Sequence, residues 1–154
     1  MSFVQKPVIL GPGEGPAVRV PGHPFVVKAS SDDTRGAYAL AEATITGEGP
    51  PQHIHHAEDE SFYVLEGEVG IQVGDEVVSG TAGAFVLIPR GTVHTFWNAG
   101  SGPAKLLVIV SPPGIEEYLA HAIGDEDIDA ATFVERVTAV AETYQMEVVG
   151  PPRG

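Results

Sequence analysis

The chain has no cysteine, which excludes disulfides, thiolate metal ligands and a cysteine nucleophile and leaves the redox compartment unmarked. It is also poor in positive charge: 8 Lys and Arg stand against 21 Asp and Glu, for a formal net charge of −13. A field of that sign repels phosphate backbones and anionic lipid, so neither nucleic acid nor a membrane surface is an expected partner, and the acidity reads as a solubility device. Long hydrophobic runs are missing as well. Leu106 to Val110 is as long as any apolar run in the chain, far short of the roughly 20 residues a membrane helix needs. The N-terminal stretch MSFVQKPVIL lacks a basic segment followed by an apolar one, so no leader is expected and the expected location is the cytoplasm.

What is present is a chain of 154 residues, a length suited to one domain spanning 1–154 and able to bury a core without staples. Its 19 glycines and 13 prolines are spread along it and punctuate short apolar runs, the pattern of many strands joined by turns. Residues 1–36 read as N-terminal edge strands at Val8–Leu10, Val18–Val20 and Phe25–Ala29. Residues 37–112 read as the barrel core, with strands at Tyr38–Thr46, Ser61–Leu65, Val69–Val73, Glu76–Ser79, Ala84–Ile88, Val93–Trp97 and Leu106–Val110. Gly74-Asp75 is suited to a tight hairpin turn. Such spacing predicts an antiparallel sandwich or barrel. Residues 113–154 read as a C-terminal helical segment and tail: a short helix over Ile115–Ala122, then a longer one capped by Asp129, with Phe133, Val137 and Tyr144 on its packed face.

The stretch Gln52 to Glu60, QHIHHAEDE, packs three histidines and three carboxylates into nine residues. In a strand, side chains at i and i+2 share a face, so His53 and His55 converge while Ile54 points away. Two imidazoles so placed suit a divalent metal, and Glu60 opens the next strand on the face of Phe62 and Val64. A polar loop rich in titratable groups fits this segment equally well. His94, alone in the apolar run 93–97 after Pro89-Arg90-Gly91, would by itself be a core histidine.

Taken together, however, the two segments resemble the paired motifs of the cupin family. Gly47, His53, His55, Glu60 and Gly67 fill the first, and Gly83, Pro89, Gly91, His94 and Asn98 fill the second, with 15 residues between Gly67 and Gly83. The resemblance implies a double-stranded β-helix, an all-β jelly-roll-like barrel with C-terminal helices. It also implies that His53, His55, Glu60 and His94 are the ligands of one divalent transition metal per chain: Ni, Fe, Mn, Co, Cu or Zn. His56 is the alternative to His55, and parity with His53 favours His55. His56, Glu58 and Asp59 are then solvated neighbours, and His23 and His121 ordinary surface or packing residues.

Three imidazoles and a carboxylate leave a divalent site with a net charge of about +1 and room for further ligands. Free imidazoles titrate near 6.5, so metal binding is expected to weaken below that pH with a slope above one proton. From Gly36 to Pro89 there is no Lys or Arg, which disfavours phosphosugar and dicarboxylate substrates. Phe62, Val64 and Phe96 suggest an apolar substrate pocket. The segments Glu58–Gly67 and Tyr144–Pro152 resemble those of quercetin-dioxygenase-like single-domain cupins. That resemblance implies a dioxygenase for a neutral aromatic or enol-type small molecule, with Glu60 as ligand or catalytic proton acceptor. The alternative is a non-catalytic small-molecule binding or sensor cupin; a sugar isomerase or epimerase is less favoured. Strands apolar on both faces, as at Tyr63 and Leu65 opposite Phe62 and Val64, suggest a homodimer.

Overall fold

The computed structural model describes residues 6–154. Its strands are β1 (Ala17–Val18), β2 (Phe25–Ala29), β3 (Ala39–Ile45), β4 (Gln52–His55), β5 (Asp59–Glu66), β6 (Val69–Val73), β7 (Glu76–Gly80), β8 (Phe85–Ile88), β9 (His94–Asn98), β10 (Ala104–Ser111) and β11 (Met146–Gly150). Two sheets face each other, one in the order β1-β2-β3-β10-β5-β8 and the other β11-β4-β9-β6-β7. All their ladders are antiparallel among the described residues. This is the expected jelly-roll-like barrel, followed by helices α1 (Ile115–Ile123) and α2 (Ala130–Val140).

Alternation along the strands builds the core. In β10, Ala104, Leu106, Val108 and Val110 are buried while the residues between them are only partly covered. In register beside them, β5 places Val64 opposite Leu106, Phe62 opposite Val108 and Glu60 opposite Val110. The apolar face of β5 therefore ends in a carboxylate pointing into the barrel. From the second sheet, β4 meets β9 with His53 directly opposite His94, a pairing that brings Cβ atoms to about 5 Å. Gly74, in the left-handed region at φ 60°, turns β6 into β7.

The structure corrects the sequence reading at both ends. No strand forms at Val8–Leu10, where Ile9 is 89% exposed; prolines flank this run and it has no sheet partner to join. The C-terminal segment holds more than helices and a tail. After α2 and a 3₁₀ turn at Ala141–Tyr144, β11 returns to the second sheet and pairs with β4, Met146 opposite His55 and Val148 opposite His53. Asp129 caps α2 as expected, accepting from the Thr132 amide at 2.8 Å, and Phe133 and Val137 are buried. No helix among the described residues is long and apolar enough to cross a membrane.

Candidate metal centre

Strand parity and cross-strand register bring His53, His55, Glu60 and His94 to one point. Each offers a ligand atom, all of these atoms lie within 4.8 Å of one another, and all four residues are buried. The cluster bridges the sheets, with three imidazoles from β4 and β9 and the carboxylate from β5. His56 points elsewhere, pairing its Nε2 with Glu147 at 2.8 Å on the surface. His121 is exposed and pairs with the Tyr144 hydroxyl at 3.1 Å.

The hydrogen bonds around the cluster orient each ring. His53 Nδ1 donates to the Pro51 carbonyl at 2.7 Å and His94 Nδ1 to the Thr92 carbonyl at 3.0 Å. Because carbonyls only accept, Nδ1 carries a proton in both rings, and Nε2 is the nitrogen each would offer to a metal. His55 Nδ1 donates to Glu58 at 3.2 Å. His55 Nε2 lies 3.0 Å from Glu60 Oε2, close enough for an ion pair but not aligned for a hydrogen bond, so it is a buried nitrogen without a bonded partner. Outward Nδ1–H groups held by carbonyls and a carboxylate, with nitrogens converging on one carboxylate, are what a metal-ligating set requires. The donor set fits a single divalent ion, and its chemistry does not discriminate among the transition metals.

Electrostatics hold the cluster in an uneven charge state. Burial lowers the His53 pKa well below its usual value, and the charges of His94 and His55 push the same way. His55 is also opposed by burial, but the charges of Glu60 and Glu58 and the hydrogen bond to Glu58 outweigh it, raising its pKa to about 9. For Glu60, burial acts upward, yet the neighbouring His55 and His94 hold its carboxyl well below the ordinary range.

Glu58 corrects the sequence reading. It is 8% exposed and holds His55 from three residues away, because the turn after β4 folds it back under the ring. Asp59 does face solvent, where it accepts from the Arg90 amide and Nε at 3.0 and 3.2 Å. That contact holds the Arg90 guanidinium at the surface.

Beside the cluster lies a cavity of about 40 Å³ whose walls include His53, Glu60 and Phe96. Phe62 and Val64 stand elsewhere. Both belong to the packed core, Phe62 edge-on to Phe96 at 5.3 Å, and neither lines the cavity. Helices and the last strand supply walls that sequence reasoning missed: Ile115, Tyr118 and Leu119 from α1, Phe133 and Val137 from α2, Met146 and Val148 from β11. His23 lines it too and is 2% exposed, so it is not a surface residue. No Lys or Arg lines the cavity.

The family model described as "Cupin domain" matches residues 43–110, a span that contains all four clustered residues. A protein of Streptomyces coelicolor is 36% identical over 78 residues, covering 51% of this chain and 69% of that one. Quercetin 2,3-dioxygenase of Bacillus subtilis is 26% identical over 124 residues, covering 77% of this chain but 35% of the dioxygenase. Among solved structures, that of a predicted oxalate decarboxylase of Thermotoga maritima superposes with a TM-score of 0.60, covering 68% of this chain and 98% of that one. At 19% identity it shows a shared fold alone.

Proposed function

The chain belongs to the cupin family, and from that premise we propose that it is a metal-dependent dioxygenase acting on a neutral aromatic or enol-type small molecule. The observation that carries the reading is a buried three-histidine, one-carboxylate cluster set in the wall of an apolar cavity free of Lys and Arg. A divalent transition metal held by His53, His55, Glu60 and His94 would supply Lewis acidity and redox capacity. The residues of the chain do the rest. Phe96 and the helix side chains exclude water and accept a ring face. Glu60 stays ionised beside the cavity, placed to accept a hydrogen bond from an enol or phenol hydroxyl. Likeness to the Bacillus subtilis quercetin 2,3-dioxygenase supports the same direction; the chain spans about a third of that enzyme's length. The apolar walls offer none of the charged forks a phosphosugar needs.

A second reading, a non-catalytic binding or sensor cupin, draws on the size of the cavity. About 40 Å³ holds a few waters, whereas benzene occupies an engineered cavity of about 150 Å³. A ring-sized substrate must therefore displace α1 and α2. Oxygen uptake separates the two readings. Full-length chain loaded with Ni, Co, Mn or Fe is expected to consume O₂ with a flavonol or a simple enol. Probe binding without uptake for every metal would replace the dioxygenase with the binding module.

We further propose that the chain is a homodimer in the cytoplasm. Tyr63, Leu65, Phe85 and Leu87 are 39–59% exposed, and Tyr63 stands opposite Phe85 where β8 leaves an unpaired sheet edge. Sedimentation is expected to give twice the chain mass at micromolar concentration and monomer for Phe85→Glu; a wild-type monomer would refute the assignment.

A further inference from the structure

His23 is a ring that the metal cluster does not use, and it lines the same cavity as His53 and Glu60. Its ring is boxed edge-on by Phe25, Phe96 and Phe133 at centroid distances of 5.9, 5.5 and 5.7 Å. Its Nδ1 is buried and has no hydrogen-bond partner. Burial drives its pKa down to about 3, opposed by a backbone hydrogen bond at Pro21. The ring is therefore neutral, with one donor and one acceptor, and the Pro21 backbone can meet only one of them. A polar atom left unpaired in apolar surroundings costs stability that a phenyl ring of similar shape would not. The Pro21 backbone accounts for one ring nitrogen; a ligand oxygen in the cavity would account for the other.

We propose that His23 is a ligand-binding residue of the cavity, hydrogen-bonding the hydroxyl or carbonyl oxygen of a small neutral ring compound whose faces rest against Phe25, Phe96 and Phe133. The inference rests on the reading of this cavity as a substrate site, but it does not need the metal. His53, Glu60 and His23 line the same cavity, so a ring admitted by displacement of α1 and α2 meets polar groups as well as aromatic walls. Selectivity follows. A site built to pair with a hydroxyl rejects an isostere that lacks one, because its own polar group is then left unmatched.

Phenol and toluene, matched in size, test this with the full-length chain, by chemical shift titration of the cavity residues with and without metal. The wild type is expected to bind phenol at least as tightly as toluene. In His23→Phe the phenol-to-toluene affinity ratio should fall roughly tenfold, through loss of the one hydrogen bond that distinguishes the probes. His23→Gln, which restores a donor and an acceptor, should recover most of the ratio. Metal content should be unchanged in His23→Phe and its melting temperature should not fall; if that variant fails to fold, His23→Leu takes its place. An unchanged ratio in the apolar variant, or no binding of either probe to the wild type, would overturn the proposal. Metal content measured on the same samples keeps the two readings apart. A chain that takes no metal yet shows the ratio change leaves His23 assigned and removes the metal centre. An unchanged ratio with full metal does the reverse.

Discussion

Replacing His94 with alanine is expected to empty the metal centre, taking metal content from about one ion per chain to background after reloading and desalting. His94 is 1% exposed and directly opposes His53, and its Nε2 lies 2.8 Å from Glu60, so no neighbouring side chain can stand in for it. Two imidazoles and a carboxylate would remain, a weaker set with the Glu60 charge less balanced. His53→Ala should behave alike. Glu58→Gln is the graded member of the series: it keeps the ligands but weakens the acceptor that fixes His55, a type of change that lowers metal affinity by about 10–100-fold. Circular dichroism should stay native throughout, since the core of Phe62, Val64, Leu106 and Val108 lies on other residues. Metal analysis showing full occupancy in both alanine variants would remove the site.

His53, His55 and Glu60 were legible as candidates because they depend on short-range geometry, whereas His94 joined them only through the resemblance to the paired motifs of the cupin family. His53 and His55 share a face by strand parity, and Glu60 opens a strand whose alternation with Phe62 and Val64 is visible in the residue types. Even the segment after Pro113 showed its helices through periodicity and the Asp129 cap. What surrounds the ligands was not legible, because it comes from contacts far apart along the chain. β11 carries a short apolar run beside Gly150-Pro151-Pro152, with little local signal, and becomes a strand only because β4 offers an edge. His23 has no spacing pattern; it enters the cavity because Phe96 and Phe133, distant in sequence, close around it. Phe62 and Val64 share the face of Glu60, but a face is not a cavity wall. Side chains of α1 and α2 line the cavity instead, together with the aromatic strand residues Phe25 and Phe96. Glu58 was the one outer residue within reach, since a carboxylate three positions after a ligand histidine can fold back under it in a tight turn.

In the metal-free chain, the proton that the metal displaces should sit on His55. Its pKa is raised to about 9 because the charges of Glu60 and Glu58 and the hydrogen bond to Glu58 outweigh burial, whereas burial keeps His53 neutral well below its usual value and Glu60 remains ionised. A metal needs the Nε2 lone pair, so binding near neutral pH should release a proton from His55. Affinity should then fall about tenfold per pH unit from about 9 downward, with no added competition from His53 at pH 5. That differs from the steep loss below 6.5 that three free imidazoles suggest. Stability carries the same signature with a definite sign. The folded pKa of His55 lies above its unfolded value of about 6.5, so its contribution is complete below 6.5 and is lost as pH rises through about 9. The loss is on the order of 3 kcal/mol. Glu60 and His53, shifted downward, act in the opposite sense, and their contributions are lost as pH falls. Metal-free protein should therefore be most stable near neutrality, and its melting temperature should drop between pH 6.5 and 9.5. The loaded protein, with no proton on His55 to lose, should show no such alkaline drop. Calorimetric titrations at pH 7.5 in buffers of different ionisation enthalpy count the released proton directly. No release there, together with a flat alkaline melting profile for the metal-free chain, would place the proton somewhere other than His55.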